Sequence, residues 1–167
     1  GSCTMYGTAN TMCCIAEVLG MSLPGSSMLP AISRERRDCA FATGMTAVDL
    51  VRRGVNARQI ITRESIRNAM TYLLATGGST NAILHLQAIY YEAELGHLPL
   101  AEFDALSHQV PLVASLYPAS EYDMIDFWEA GGVAAVEKEI ANLLDLNCLT
   151  VNGQKKGEWL MDVPSTR

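Results

Sequence analysis

Cys3 is the residue of this chain with the clearest chemical opening. It stands in Cys3-Thr4-Met5-Tyr6-Gly7-Thr8-Ala9-Asn10-Thr11-Met12, just ahead of a segment whose pattern reads as helix. Unpaired amides and the dipole at a helix N-terminus favour a thiolate over a thiol. A thiolate ligates a soft metal or attacks an electrophile; an ordinary small residue in a turn fits the same spacing. Cys13 and Cys14 fall in mid-helix, and no pair of cysteines has Cys-x-x-Cys spacing. That excludes a zinc ribbon and a ferredoxin-type run.

The other candidates are weaker. His85, His97 and His108 form no metal-binding array, and His85 on its apolar stretch reads as a hydrogen-bonded core residue. Gly77-Gly78-Ser79-Thr80-Asn81 is a glycine-rich turn into a helix, a geometry that presents amides to an anion. It lacks the lysine of a P-loop and the spacing of a dinucleotide fingerprint, and a cap with close helix packing explains it equally well. Asp123, Asp126 and Glu129 recur three apart on one helix face. They fit a divalent ion, and more simply a solvated acidic face.

The elements that must position these groups are mostly helical. A first helix is expected from Thr8 to Gly20, with Thr8 or Asn10 as its cap, and a loop over Met21–Ile32. A second runs from Cys39 to about Arg53 and stops at Gly54. Thr62 caps a third, in which Ile66, Met70, Leu73 and Leu74 share a face until Gly77-Gly78 ends it. A fourth, Thr80 to Leu95, is apolar on nearly every side and is expected to be buried all round. Leu100–Gln109 reads as a short helix and Val110–Leu116 as the best strand. Ser120-x-x-Asp123 resembles a capping box for a helix over Tyr122–Ala130, and Val133 to Leu144 gives a last amphipathic helix. Cys148–Val151 is a second strand candidate, and Gly153–Arg167 reads as polar linker. So few strands cannot make a sheet of their own, which points to helical layers on a sheet completed elsewhere.

Composition bounds the class. The chain has 167 residues, 49% of them apolar and 18% charged, with net charge -6. That is the profile of a single folded domain rather than a disordered chain. No apolar run approaches the roughly 20 residues that span a bilayer, and Gly1–Asn10 carries no signal-peptide pattern. Five cysteines, an odd number, read as reduced thiols of a cytoplasmic protein. The acidic balance argues against nucleic acid. Charge is uneven: residues 34–67 hold eight of the twelve cations, all arginine, and residues 92–145 hold eleven acids. That reads either as a solvated face paired with the acidic half or as a rim steering an anionic substrate.

Five segments in order carry a resemblance: Cys3 to Met12, Leu19-Gly-Met-Ser-Leu-Pro-Gly-Ser-Ser27, Ile61-Thr-Arg-Glu64, Gly77-Gly-Ser-Thr-Asn-Ala82 and Cys148-Leu-Thr-Val-Asn-Gly153. Together they resemble the iron–sulfur dehydratase family of dihydroxy-acid, 6-phosphogluconate and aldonic-acid dehydratases. The resemblance implies an α/β fold, with this chain the mostly helical segment of a three-layer α/β/α N-terminal domain over residues 1–153. Residues 154–167 would lead towards a C-terminal barrel. It implies a 2Fe-2S or 4Fe-4S cluster on three cysteines, the last of which matches Cys3. The other two, the acidic Mg2+ ligands and a modified lysine would lie upstream, and the proton-abstracting serine in the barrel. Gly78, Ser79, Thr80 and Asn81 would line the substrate pocket.

The implied reaction converts a 2,3-dihydroxy acid into a 2-keto acid and water, in a cytoplasmic homodimer or homotetramer that binds neither membrane nor nucleic acid. The stretch Met21-Ser-Leu-Pro-Gly-Ser-Ser27 favours dihydroxy-acid dehydratase of branched-chain amino-acid biosynthesis. Gly7 directly before Thr8 looks more like the sugar-acid branches. Glu121 in Pro118-Ala119-Ser120-Glu121-Tyr122 replaces a lysine common in the family. The competing class is a non-catalytic helical module, since one family-matched ligand cannot hold a cluster.

Overall fold

The computed structural model describes residues 3–163. Its helices are α1 (Thr8–Val18), α2 (Arg34–Arg53), α3 (Ala57–Ile60), α4 (Arg63–Ala75), α5 (Asn81–Glu92), α6 (Leu100–Ser107), α7 (Met124–Glu129), α8 (Gly132–Glu139) and α9 (Lys156–Asp162), with a 3-10 turn at Ala141–Leu143. Among the described residues the fold is mostly helical and holds no strand, as expected of a helical part of an α/β domain. None of these helices is long and apolar enough to cross a membrane.

α4, not α5, is the central helix. Ile66, Ala69, Met70, Tyr72 and Ala75 are fully enclosed, and α1 (Cys14, Ile15, Val18), α5 (Ala82, Leu86, Tyr90), α6 (Phe103, Leu106) and α8 (Val133, Val136) close around them. Two of the polar residues that make α4 look amphipathic are satisfied inside. Asn68 donates to the Asp145 carbonyl and accepts from its amide, both at 2.8 Å, and the Thr71 hydroxyl donates to the Arg67 carbonyl. α5 buries only one stripe, leaving Leu84, Tyr91 and His85 exposed, so the expected core histidine faces solvent.

Local signals set several boundaries. Thr62 and Ser65 form a reciprocal capping box at the start of α4, and Gly54 ends α2 in the left-handed region. α2 starts five residues before the expected Cys39 because Ser33 caps the Arg36 amide. At α7 the cap is Asp123 with Asp126, so the box sits one motif later than the one anticipated at Ser120. Asp123 and Asp126 are thereby engaged with backbone amides rather than gathered for a cation.

Both strand candidates fail for want of a partner. Val113 and Ala114 donate instead to the Ala75 carbonyl at the end of α4. Cys148–Val151 contributes one isolated antiparallel bridge, Leu149 to Lys155. Within residues 154–167, read from the sequence as linker, α9 packs Trp159 and Leu160 against Ala134 of α8. Residues 164–167 of that expected linker lie outside the described residues.

Gly20 shows how closely the end of α1 and the Cys148–Val151 segment approach. It has φ +83°, a Cβ there would stand 2.8 Å from the Leu149 carbonyl oxygen, and its own carbonyl accepts from Val151 at 2.8 Å. Gly20→Ala is therefore expected to lower stability by roughly 1–3 kcal/mol, the cost of a strained non-glycine conformation. A shift of the urea midpoint checks this. No shift would mean that the α1 to Val151 junction relaxes freely.

Candidate functional site

The segment carrying Cys3 is held by its own backbone. Three successive carbonyls are engaged: those of Cys3 and Met5 by the Asn10 side-chain amide at 2.7 and 2.8 Å, and that of Thr4 by the Met124 amide at 3.0 Å. Tyr6 then donates its amide to the Tyr117 carbonyl at 2.8 Å and reaches the Thr76 hydroxyl with its phenol at 2.9 Å inside the core. Burial raises the Tyr6 phenol far above its ordinary value, so it stays neutral as an anchor.

α1 begins directly behind this loop with Gly7 at its cap position, no side-chain cap and no acid in its first turn. Neither of the cap residues expected from the sequence caps this helix. Thr8 instead faces the glycine-rich turn, where its hydroxyl meets Ser79 Oγ at 2.9 Å and accepts from Asn81 Nδ2 at 2.9 Å. The Ser79 amide donates to Thr11 Oγ1 at 3.2 Å. Gly78 makes that contact possible, because a Cβ on it would lie 2.8 Å from the Thr11 methyl and 2.7 Å from Leu73 Cδ1. Thr80 sits exposed at the cap position of α5 with no side-chain cap. The fold thus brings the Cys3 loop and Gly78–Asn81 to the same end of α1, though they lie some seventy residues apart in sequence.

Burial sorts the cysteines. Cys14 is buried among Tyr6, Tyr72 and Met28 and its thiol is pushed up to about 12; Cys148, under Asn68, is pushed up to about 11. Burial favours the neutral thiol at both. Cys3 and Cys13 are exposed and Cys39 is half-buried, and all five are free. An exposed thiol at an uncapped helix N-terminus has the donor chemistry of one iron ligand. Among the described residues no three His, Cys, Asp or Glu side chains converge on a point. The residues present fit one ligand of a cluster, not a whole cluster site.

The arginine-rich stretch divides. α2 buries no residue, and Arg34 and Arg53 pair along it with Asp38 and Asp49. Arg58 pairs with Glu94 of the acidic half, and Arg63 donates to the Leu95 carbonyl. This is the solvated, intramolecularly paired face; among the described contacts nothing ties Arg52 or Arg53 to the Cys3 loop. Sequence reasoning missed the Asn10 clamp, although Asn10 lies in the motif it singled out, and the buried pair of Lys156 with Glu137, whose partners lie on separate helices.

A family model described as dihydroxy-acid/6-phosphogluconate dehydratase N-terminal matches residues 1–159. A dihydroxy-acid dehydratase of Thermodesulfovibrio yellowstonii is 46% identical over 153 residues, covering 92% of this chain and 28% of that protein. Dihydroxy-acid dehydratase 2 of Corynebacterium efficiens is 46% identical over 165 residues, 98% of this chain and 29% of that protein. The dihydroxy-acid dehydratase of Methanospirillum hungatei is 47% identical over 153 residues, again 92% and 28%. The chain spans less than a third of the length of the curated relatives it matches.

Proposed function

Because this chain belongs to the dihydroxy-acid/6-phosphogluconate dehydratase family, matching its N-terminal part, we propose that it is the cluster-binding part of a hydro-lyase that converts a 2,3-dihydroxy acid into a 2-keto acid and water. The substrate class favoured is that of dihydroxy-acid dehydratase in branched-chain amino-acid biosynthesis. The observation that carries the reading is the family match over residues 1–159. The exposed Cys3 ahead of an uncapped helix N-terminus supports it.

Hydroxide is a poor leaving group and a C2 proton next to a carboxylate is weakly acidic, so the reaction needs help at both bonds. A 2Fe-2S or 4Fe-4S cluster supplies, when bound, an iron Lewis acid for the departing hydroxyl, with Mg2+ holding the carboxylate end. Cys3, exposed in the loop ahead of α1, would contribute one thiolate ligand to that cluster. The hydroxyls of Thr8 and Ser79 and the amide of Asn81, linked at 2.9 Å, form a polar wall suited to a polyhydroxylated acid, with Gly78 and Thr80 at its edge. The remaining cluster ligands, the Mg2+ ligands and the base come from other parts of the polypeptide. Residues 1–153 together with α9 form one part of the cluster domain, and the assembled enzyme is a cytoplasmic homodimer or homotetramer acting on a small hydroxy acid, without nucleic acid or membrane.

A second reading, an aldonic-acid dehydratase, rests on Gly7 directly before Thr8. Purified without oxygen and supplied with Mg2+, the full-length protein carrying this chain should turn over 2,3-dihydroxyisovalerate with a higher kcat/KM than aldonates or 6-phosphogluconate. Preference for an aldonate would replace the first reading by the second. Inactivity on all three with an intact cluster would overturn the hydro-lyase reading.

A further inference from the structure

We infer that Asn10 is the positioning residue of the Cys3 ligand, its side-chain amide fixing the loop in which the thiol is presented. This rests on Cys3 being a cluster ligand. Asn10 occupies the first turn of α1, where a side chain commonly serves its own helix end. Here both amide hydrogens reach back out of the helix, one to the Cys3 carbonyl at 2.7 Å and one to the Met5 carbonyl at 2.8 Å. With the Thr4 carbonyl taken by the Met124 amide, three consecutive peptide planes are set, two of them by one side chain. A carbonyl captured at Cys3 fixes the peptide plane that follows its Cα, and hence one backbone torsion of the ligand residue itself.

The clamp is needed because the loop has little else. Cys3, Thr4 and Met5 are exposed, and the nearest buried anchor is the Tyr6 phenol on Thr76, three residues on. Partners that orient a metal ligand without touching the metal tune both its retention and its electronic environment. Only a donor satisfies two carbonyls, so an isosteric carboxylate at position 10 reverses the interaction: its oxygens would face the Cys3 and Met5 carbonyl oxygens and repel them.

The test compares Asn10→Asp, Asn10→Ala, Cys3→Ala and Ile15→Val in the full-length protein, purified without oxygen, by iron and sulfide content, electron paramagnetic resonance of the reduced cluster and the rate of iron loss to a chelator. Ile15→Val loosens the same helix on its buried side without touching the loop. Asn10→Asp should release iron roughly 10–100-fold faster than wild type, the range for loss of an outer partner, and with a changed resonance signature. Ile15→Val should match wild type in both. Wild-type release and signature in Asn10→Asp, with Cys3→Ala devoid of cluster, would overturn the role of Asn10 and leave the ligand reading standing. Full cluster content in Cys3→Ala would overturn the ligand reading itself. Equal acceleration in Ile15→Val would show that iron loss follows helix stability and not ligand positioning. If Asn10→Asp fails to fold, Asn10→Ala takes its place: it removes both donors without adding charge, and the same release rate and resonance signature decide for or against the clamp.

Discussion

Replacing Glu137 by methionine is expected to cost about 3–5 kcal/mol of stability at neutral pH, the range for breaking a buried ion pair. Glu137 on α8 and Lys156 at the start of α9 are both fully enclosed, with Lys156 Nζ donating to Glu137 Oε1 at 2.5 Å. Lys156 also lies 5.7 Å from the centre of the Trp159 ring. The pairing is incomplete: Glu137 Oε2 and the Trp159 indole nitrogen are buried without a protein partner. Methionine at 137 leaves the buried ammonium without its hydrogen-bonded carboxylate, with only the more distant buried Glu17 as an acidic neighbour. Lys156→Met should cost less, because burial already pushes Glu137 up to about 7, so that it takes up a proton readily when its partner goes.

The double substitution to two methionines should recover most of the loss or exceed wild type by about 1–4 kcal/mol, as apolar replacements of buried pairs do. Urea denaturation of the four proteins forms the cycle. Additive losses would show that the two side chains do not depend on each other. A pH consequence follows from the direction of the shift. Burial raises the Glu137 pKa from 4.5 to about 7, opposed by Lys156 and assisted by the buried Glu17. The folded state therefore binds this proton more tightly than the unfolded chain. Its stabilising share is complete below pH 4.5 and is lost as pH rises to about 7. Glu137→Gln should flatten that fall, and an unchanged pH profile would contradict it.

Legibility followed the range of the interactions. Thr62, Gly54 and Gly20 could be placed from sequence because a cap or a left-handed glycine is decided within a few residues; the Ser65 half of the box at Thr62 came only with the structure. The centre of the fold could not. α5 carries more apolar letters than α4, yet α4 is enclosed because Asn68 and Thr71 find backbone partners, one of them at Asp145. Val110–Leu116 has strand composition, but a strand needs a neighbour, and the amides of Val113 and Ala114 turn to the end of α4. Lys156 looked like a solvated linker residue because its carboxylate lies on another helix, nineteen residues away. At the candidate site, Cys3 and Gly78–Asn81 stood out by motif. Their convergence on one end of α1 depends on contacts spanning some seventy residues, which no local pattern records.

Cys3→Ser should abolish the cluster, and with it turnover, in the full-length protein, while Cys13→Ser and Cys148→Ser keep it. Serine offers a hard, weakly acidic hydroxyl where iron takes a soft thiolate sulfur, so the iron loses one of its anchors. Cys148 is held as a buried thiol beneath Asn68, and Cys13 stands exposed on α1 beyond its first turn, outside the loop that Asn10 and Met124 fix. The most direct measurement is iron and acid-labile sulfide per chain in these three variants, purified side by side without oxygen. Cluster content near zero in Cys3→Ser and near wild type in the other two is the predicted result. A full complement in Cys3→Ser, or equal loss in all three, would contradict the assignment of Cys3 as the cluster ligand of this chain.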